Sequence, residues 1–179
     1  MGEFSNDWFS YRAIEFASSL GHLRHVPVRI LEVGSFEGLS ALWFLLFFPA
    51  DTHLVCVDTF EGGAEHHVEG EPREYLLGLK DRFLRNTAFA SWRIDVRVGK
   101  SEQVLFGLQP QSFDVAYVDG SHHAADALTD LVMCFHLLKP GGIMLIDDVN
   151  LTWHSVESPM YRIENSPRQA VEPFTITVS

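Results

Sequence analysis

Five strand-like runs alternate with helix-like segments along this chain, and this alternation limits its fold more than any other feature. Each run is short and apolar, ends in a turn and precedes a segment whose apolar residues have helical spacing. Such an order predicts right-handed crossovers and a mostly parallel sheet with helices on both faces. The predicted strands are Val28–Val33, Thr52–Val57, Ile94–Val98, Phe113–Val118 and Ile143–Ile146.

Helices predicted between these strands complete an α/β fold, a three-layer α/β/α sandwich. Asn6, Asp7 and Ser101 are N-cap candidates, because their side chains can accept from free backbone N–H groups. A length of 179 residues suits one domain, so residues 1–179 are expected to form a single domain. The predicted helices are a first one from Asn6 or Asp7 to about Leu23, then Leu39–Phe48, Arg73–Asn86, a short helix capped by Ser101, and Ser121–Leu138, which the turn 139–142 ends.

Composition argues against two classes of partner. The net charge is −11, so the surface repels phosphate backbones and a nucleic-acid substrate is not expected. The longest apolar run, Ala41–Pro49, is too short to span a bilayer, so no membrane segment is expected. Cys56 and Cys134 lie inside apolar runs and are expected to be buried free thiols, which fits a cytoplasmic protein.

Polar residues and glycines follow the predicted strands, where a parallel sheet places its ligands. Ligands of such sheets bind outside the carboxyl ends of the strands, near the point where the strand order reverses. We therefore expect the functional site at this edge of the sheet. The residues at the strand ends are Glu32, Gly34, Asp58, Gly99, Asp119 and Asp147.

The segment 32–40, EVGSFEGLS, has the glycine pattern of a nucleotide-binding turn. Gly34 permits a tight turn and Gly38 lets the helix start close to the strand. Asp58, about 20 residues further on, is placed to accept from ribose hydroxyls. The pattern fits either a dinucleotide or S-adenosylmethionine. Phe36 stands where a dinucleotide turn needs glycine for the approach of the pyrophosphate, which favours S-adenosylmethionine.

Four segments carry a resemblance to a known family. They are EVGSFEGLS, VDTFEGG, SFDVAYVDGSHHAADALTD and LLKPGGIMLIDD. Together they resemble class I methyltransferases of the methyltransferase 24 type, a group that is similar to macrocin O-methyltransferases and to the methyltransferase-fold protein of cephamycin biosynthesis. The resemblance covers about Ile30 to Asp148. It implies a Rossmann-like sheet in the order 3-2-1-4-5 and S-adenosylmethionine as the cofactor.

The resemblance also implies roles for individual residues. Residues expected to line the methionine half of the cofactor are Glu32, Gly34, Ser35 and Ser40, with Phe36 and Gly38 in the same turn. Asp58 would hold the ribose, and Gly99, Lys100 and Ser101 would contact the adenine. Asp119 would touch the cofactor and, with Asp147 and Asp148, hold a divalent metal. His122 matches a histidine proposed as the catalytic base.

Electrostatic repulsion among Asp119, Asp147 and Asp148 supports the interpretation of these three acids as a metal site. Strands four and five are neighbours in the expected order, so Asp119 would lie beside Asp147 and Asp148. Carboxylates packed together repel one another unless a cation such as Mg²⁺ neutralises them. A substrate hydroxyl bound there becomes more acidic. Plainer roles stay open: Asp119 could only touch the cofactor, the two later acids could only cap a segment, and His122 could be an ordinary residue at a helix start.

The C-terminal part departs from the family pattern. Within Val149–Ser179 only Phe174–Val178 looks strand-like, so the strand hairpin of such enzymes is expected to be shortened or missing. An edge strand left exposed could be covered by a second copy in a homo-oligomer. A small hydroxylated acceptor is expected for an O-methyltransferase. The alternatives are a degenerate binding module that transfers nothing and an NAD-dependent oxidoreductase, which Phe36 disfavours.

Overall fold

A computed structural model describes residues 2–63, 74–148 and 170–171. Its centre is one five-stranded parallel sheet in the order β3-β2-β1-β4-β5. The predicted architecture and strand order are therefore confirmed. The strands are β1 (Arg29–Val33), β2 (His53–Asp58), β3 (Ile94–Val98), β4 (Phe113–Val118) and β5 (Leu138–Ile146).

Helices cover both faces of the sheet because successive strand residues point to opposite sides. Ile30 and Cys56 face the first three helices, and Leu31 and Val57 face the last two. The helices are α1 (Ala13–Leu20), α2 (Leu39–Phe47), α3 (Leu79–Thr87), α4 (Ser101–Phe106) and α5 (Ala124–Leu137), and short 3₁₀ turns occupy Ser10–Arg12, Gly21–Leu23, Glu74–Leu76 and Ala88–Arg93. This arrangement is the predicted three-layer sandwich.

Helix boundaries differ from the predictions where glycine or a turn interrupts the chain. The helix predicted over Arg73–Asn86 begins only at Leu79, because Gly78 adopts a left-handed conformation with φ of +67°. The helix predicted from Ser121 begins at Ala124. Ser101 is the first residue of α4, and no side-chain bond caps that helix. The prediction that Ser101 caps it was wrong.

The last strand is longer than predicted. It begins at Leu138 and contains the segment 139–142, which was assigned to a turn. Its pairing with β4 is irregular: Phe113 pairs with Leu138, whereas Val115 pairs with Ile143. The extra residues are absorbed there, and Val118 pairs with Ile146 at the carboxyl edge. The end of β5 therefore lies next to the end of β4, as the predicted metal site requires.

Among the described residues, no helix has the length and apolar character needed to cross a membrane. The strand-like run Phe174–Val178 and the fate of the C-terminal hairpin lie outside the described residues. The free thiols of Cys56 and Cys134 are both buried, as expected.

An aromatic cluster between the sheet and the first two helices stabilises one face. Phe44 of α2 is fully buried and contacts the rings of Phe9, Phe16 and Tyr117. We expect Phe44→Ala to lower the free energy of unfolding by about 3 to 5 kcal/mol, through lost apolar burial and the cavity left behind. Phe106→Ala is the matched control because Phe106 is 87% exposed. Urea unfolding of both variants measures the difference, and equal losses would contradict this packing.

Candidate active site

The turn after β1 lies directly against the segment that follows β4. Gly34 has φ of +88°, and a Cβ atom placed there would lie 1.8 Å from the carbonyl oxygen of Asp119. Gly38 has φ of +84° and precedes α2, where a Cβ atom would come within 2.9 Å of the Phe83 ring. Both glycines are therefore required by close approach as well as by backbone conformation. The turn and the first acid of the predicted metal site are immediate neighbours.

Asp58 ties the end of β2 to this turn. Its Oδ2 accepts from the backbone N–H groups of Ser35 and Phe36 at 2.8 and 2.7 Å. Its Oδ1 accepts from the N–H of Phe60 at 2.6 Å. A carboxylate has about four lone-pair sites, so Asp58 keeps capacity for another donor, such as a ribose hydroxyl.

Phe36 occupies an unusual position in the turn. Its φ is +45°, a left-handed conformation that is rare for a bulky residue. The bond from its N–H to Asp58 holds this conformation, and its ring lies 5.1 Å from that of Trp8. A dinucleotide site needs turn N–H groups aimed at the pyrophosphate. Here the N–H groups of Ser35 and Phe36 donate to Asp58, which argues against that ligand.

Glu32 lies beneath the turn and is fully buried. Its Oε1 accepts from the hydroxyl of Ser40 at 2.6 Å, which joins β1 to the first turn of α2. Burial raises the pKa of the Glu32 carboxyl, and the Ser35 and Ser40 side chains oppose that shift. Ser35 and Ser40 are buried as well. These three members of the predicted methionine-binding set therefore support the turn from below.

The segment after β3 reaches the same edge of the sheet. The N–H of Gly99 donates to the carbonyl oxygen of Asp58 at 3.0 Å, which joins the end of β3 to the end of β2. Lys100 is exposed, and Ser101 begins α4. Of the predicted adenine-binding residues, Gly99 is thus joined to Asp58, and Lys100 and Ser101 follow it in the chain.

Asp130 of α5 is a buried carboxyl group that the sequence did not single out. It is 1% exposed, and a Cβ atom at Gly120 would lie 3.1 Å from its Oδ2. Burial raises the pKa of Asp130 to about 6, and the nearby Ser101 side chain opposes part of this shift. Asp130 therefore lies under the turn that presents Asp119.

The raised pKa of Asp130 predicts a pH-dependent stability. The folded state keeps its proton between about pH 4 and the folded pKa, whereas the unfolded state loses it. The free energy of unfolding therefore falls as the pH rises through this window, by up to about 3 kcal/mol. We expect Asp130→Asn to flatten this slope in urea unfolding measured from pH 4 to 7. Asp81→Asn, an exposed change on α3, is the control and should keep the wild-type slope.

The acids after β4 and β5 form a cluster with a histidine. Ligand atoms of Asp119, His122 and Asp148 all lie within 4.8 Å of one another. His122 Nε2 lies 2.9 Å from Asp148 Oδ2. Burial and then the charge of Asp147 raise the pKa of Asp119 well above its usual range, while Tyr117 and His122 oppose the shift. A divalent cation would neutralise such a cluster, so these residues fit a metal site.

Tyr117 connects this cluster to Asp147. Its hydroxyl oxygen lies 2.8 Å from Asp119 Oδ2 and 2.8 Å from Asp147 Oδ2. One hydroxyl proton can be donated to only one carboxylate at a time, so the second short contact needs a proton on a carboxyl group. Burial and the two neighbouring acids also raise the pKa of Tyr117, which keeps its hydroxyl protonated.

Asp147 has a second partner, Arg12, from the N-terminal part of the chain. Arg12 Nε and Nη2 lie 2.8 and 2.7 Å from Asp147 Oδ1. The sequence reasoning missed Arg12 and Tyr117. Strand alternation in β4 could have placed Tyr117 on the same face as Asp119, two residues later. No local pattern could have joined Arg12 to a residue 135 positions away.

The fold and this edge of the sheet define an α/β protein with a glycine turn after the first strand and an acidic cluster beside it. The chain belongs to the methyltransferase domain family, whose model matches residues 31–149. The O-methyltransferase hkm8 of Aspergillus hancockii is similar, with 31% identity over 123 residues, which are 68% of this chain and 43% of that protein. This chain spans less than half the length of the curated relatives that it matches.

Two solved structures show the same fold. The O-methyltransferase TomG from Streptomyces achromogenes, involved in tomaymycin synthesis and solved with S-adenosylmethionine, has a TM-score of 0.66 at 20% identity and covers 96% of this chain and 69% of its own. The MycE methyltransferase of the mycinamycin pathway, solved with Mg and S-adenosylhomocysteine, has a TM-score of 0.59 at 19% identity, covering 83% of this chain and 34% of its own.

Proposed function

We propose that this chain is the catalytic part of an S-adenosylmethionine-dependent O-methyltransferase that acts on a small hydroxylated molecule with a divalent cation. The family match supports methyl transfer. The relative from Aspergillus hancockii is named an O-methyltransferase. TomG was solved with S-adenosylmethionine, and MycE with Mg and S-adenosylhomocysteine. The strongly acidic charge of −11 supports a small acceptor over nucleic acid.

One observation carries the proposal: the cofactor turn and the acidic cluster are immediate neighbours. The space for a Cβ atom at Gly34 is filled by the carbonyl oxygen of Asp119, and the Asp119 side chain belongs to the cluster with His122 and Asp148. A cofactor held by the turn and an acceptor hydroxyl held at the cluster would therefore lie close together. Proximity of the two reacting groups is a main source of rate enhancement.

The cofactor would be held by the turn and the adjoining strand ends. Asp58 keeps capacity for a ribose hydroxyl after accepting three backbone N–H groups. Gly99, whose N–H donates to the carbonyl oxygen of Asp58, would contact the adenine together with Lys100 and Ser101, which follow it in the chain. Glu32 supports the turn through its hydrogen bond with Ser40. It would lie beneath the methionine part of the cofactor. When bound, the cofactor supplies a methyl group on a positively charged sulfur.

The cation would be held by oxygen atoms of Asp119 and Asp148. Mg²⁺ prefers such ligands and keeps open positions for water or substrate. When bound, it makes an acceptor hydroxyl more acidic. His122 would take the proton from that hydroxyl. Asp148 Oδ2, 2.9 Å from His122 Nε2, would stabilise the imidazolium that forms.

Titration calorimetry tests the proposal first at the level of binding. S-adenosylmethionine is titrated into chelator-treated protein and into protein with Mg²⁺, and saturable binding is expected in both. Methyl transfer from labelled cofactor to a panel of phenols, sugars and polyketide alcohols is then measured. Activity is expected with Mg²⁺ and should be lost after chelation.

Each of the other outcomes contradicts a different part of the proposal. Absence of cofactor binding would contradict the proposal and favour a binding module. Saturable NAD(H) binding would favour an oxidoreductase instead. Cofactor binding with full activity after chelation would keep the methyltransferase and remove the metal from its mechanism.

A further inference from the structure

Asp147 differs from the other two acids at this edge in how its oxygen atoms are used. Its Oδ1 accepts from Arg12 Nε, from Arg12 Nη2 and from the backbone N–H of Asp148, at 2.8, 2.7 and 2.8 Å. Its Oδ2 lies 2.8 Å from the Tyr117 hydroxyl oxygen. An oxygen of a carboxylate has two lone pairs, so these three donors use the acceptor capacity of Oδ1, and Tyr117 contacts Oδ2. Among the described residues, the group whose ligand atoms lie close enough to share a cation contains Asp119, His122 and Asp148 and does not contain Asp147.

The charge of Asp147 is also already balanced. The Arg12 side chain is 29% exposed, whereas that of Asp147 is 3% exposed. The ring of Tyr11 lies 4.9 Å from the centre of the guanidinium group. Arg12 also pairs with Glu15, three residues further on in the first turn of α1, at 3.3 Å. This buried carboxylate is held in one orientation, because two guanidinium N–H groups fix its Oδ1 while the Tyr117 hydroxyl contacts its Oδ2.

The fixed orientation of Asp147 in turn restricts Asp119 and Asp148, the two acids of the cluster with His122. Tyr117 is fully buried, so its hydroxyl group cannot swing to another position without repacking the core. It contacts Asp147 on one side and Asp119 on the other, at 2.8 Å each. The N–H of Asp148 donates to Asp147 as well. Both acids that would hold the cation are therefore bonded, directly or through Tyr117, to Asp147.

We propose that Arg12 and Tyr117 are positioning residues that, through their contacts with Asp147, orient Asp119 and Asp148 for a divalent cation. This inference rests on the proposed function. It makes the N-terminal turn Ser10–Arg12 a structural part of the site. Residues that hold metal ligands in place commonly contribute about 10- to 100-fold to metal affinity.

Arg12→Gln tests the inference because the competing explanations predict changes of opposite sign in Mg²⁺ affinity. If Arg12 acts only as a nearby positive charge, its removal relieves repulsion and Mg²⁺ binds more tightly. If Asp147 is a ligand that Arg12 keeps from the cation, its release also tightens binding. If Arg12 positions the cluster, its removal weakens binding. We expect a weakening of about 10-fold or more in calorimetric titration with Mg²⁺.

Two further variants separate geometry from charge. Arg12→Lys keeps the charge but loses the planar fork that holds Asp147, so we expect an affinity between those of wild type and Arg12→Gln. Tyr117→Phe removes only the hydroxyl group and leaves the charge of the site unchanged. We expect it to weaken Mg²⁺ binding by about 10- to 100-fold. Asp147→Asn is less informative, because a ligand and a positioning residue both predict weaker binding.

The controls keep the outcomes distinct. Arg97→Gln removes an exposed charge that pairs with Asp95 within β3 and should leave Mg²⁺ affinity unchanged. Circular dichroism checks that each variant is folded, and S-adenosylmethionine affinity should stay at the wild-type value in all of them. Unchanged or tighter Mg²⁺ binding in Arg12→Gln and Tyr117→Phe overturns the inference. Wild-type protein that binds cofactor but no Mg²⁺ overturns it together with the metal mechanism, and wild-type protein that binds no cofactor overturns the proposed function.

Discussion

Gly34→Ala is expected to lower the free energy of unfolding by at least about 3 kcal/mol. The new Cβ atom would lie 1.8 Å from the carbonyl oxygen of Asp119 and 2.4 Å from its carbonyl carbon. Neither atom belongs to a flexible side chain, so β1 and β4 would have to separate. Overpacking of this kind costs about 1 to 3 kcal/mol or more. The left-handed φ of +88° adds about 1 to 3 kcal/mol for a residue with a side chain.

Gly78→Ala is the matched control for that change. Gly78 also has a positive φ, +67°, but nothing lies within 4 Å of its Cβ position. It therefore reports the cost of backbone strain alone. Urea unfolding of both variants gives the difference, which measures the contact between the cofactor turn and the Asp119 segment. Equal losses in the two variants would show that this contact can relax, and would weaken the argument that the turn and the cluster are held side by side.

His122→Gln is expected to lower kcat for methyl transfer by about 10²- to 10⁴-fold, the usual contribution of a general base. Glutamine keeps polarity and similar size but cannot accept the proton of the acceptor hydroxyl. Mg²⁺ prefers oxygen ligands, so its affinity should stay close to the wild-type value. The measurement combines steady-state kinetics, with the best acceptor from the panel, and calorimetric titration with Mg²⁺.

His123→Gln is the control, because His123 is the adjacent residue and its side chain is exposed. It should keep both kcat and Mg²⁺ affinity. A large loss of Mg²⁺ affinity in His122→Gln would instead make His122 a ligand, which its place in the cluster with Asp119 and Asp148 allows geometrically. A kcat that falls by less than about threefold would exclude a role as the base.

The two predictions address different links between sequence and function. Gly34 acts through packing: it decides whether the turn can lie against the Asp119 backbone. His122 acts through chemistry at the completed site, and its removal should leave the fold intact. Normal folding with lost turnover in His122→Gln, beside lost stability in Gly34→Ala, would separate the architecture of the site from its reaction.

The sequence by itself determined the strands, their parallel arrangement and the edge that carries the site. Apolar runs and turn residues are local signals, and alternation with helices leaves few possible topologies. Gly34 and Gly38 could be placed because tight turns require glycine, and both have positive φ. The helix boundary at Leu79 was harder to predict from the sequence, because a single glycine such as Gly78 disfavours a helix only weakly.

Only the tertiary structure decided which acid has which partner. Asp119, Asp147 and Asp148 look alike in the sequence, yet Asp147 is bonded to Arg12, 135 residues away, while Asp119 and Asp148 share a cluster with His122. Asp58 was predicted to face a ribose, and it also accepts three backbone N–H groups that hold the turn. Such contacts depend on which segments the folded sheet brings together, and periodicity reports only on neighbours within one helix or strand.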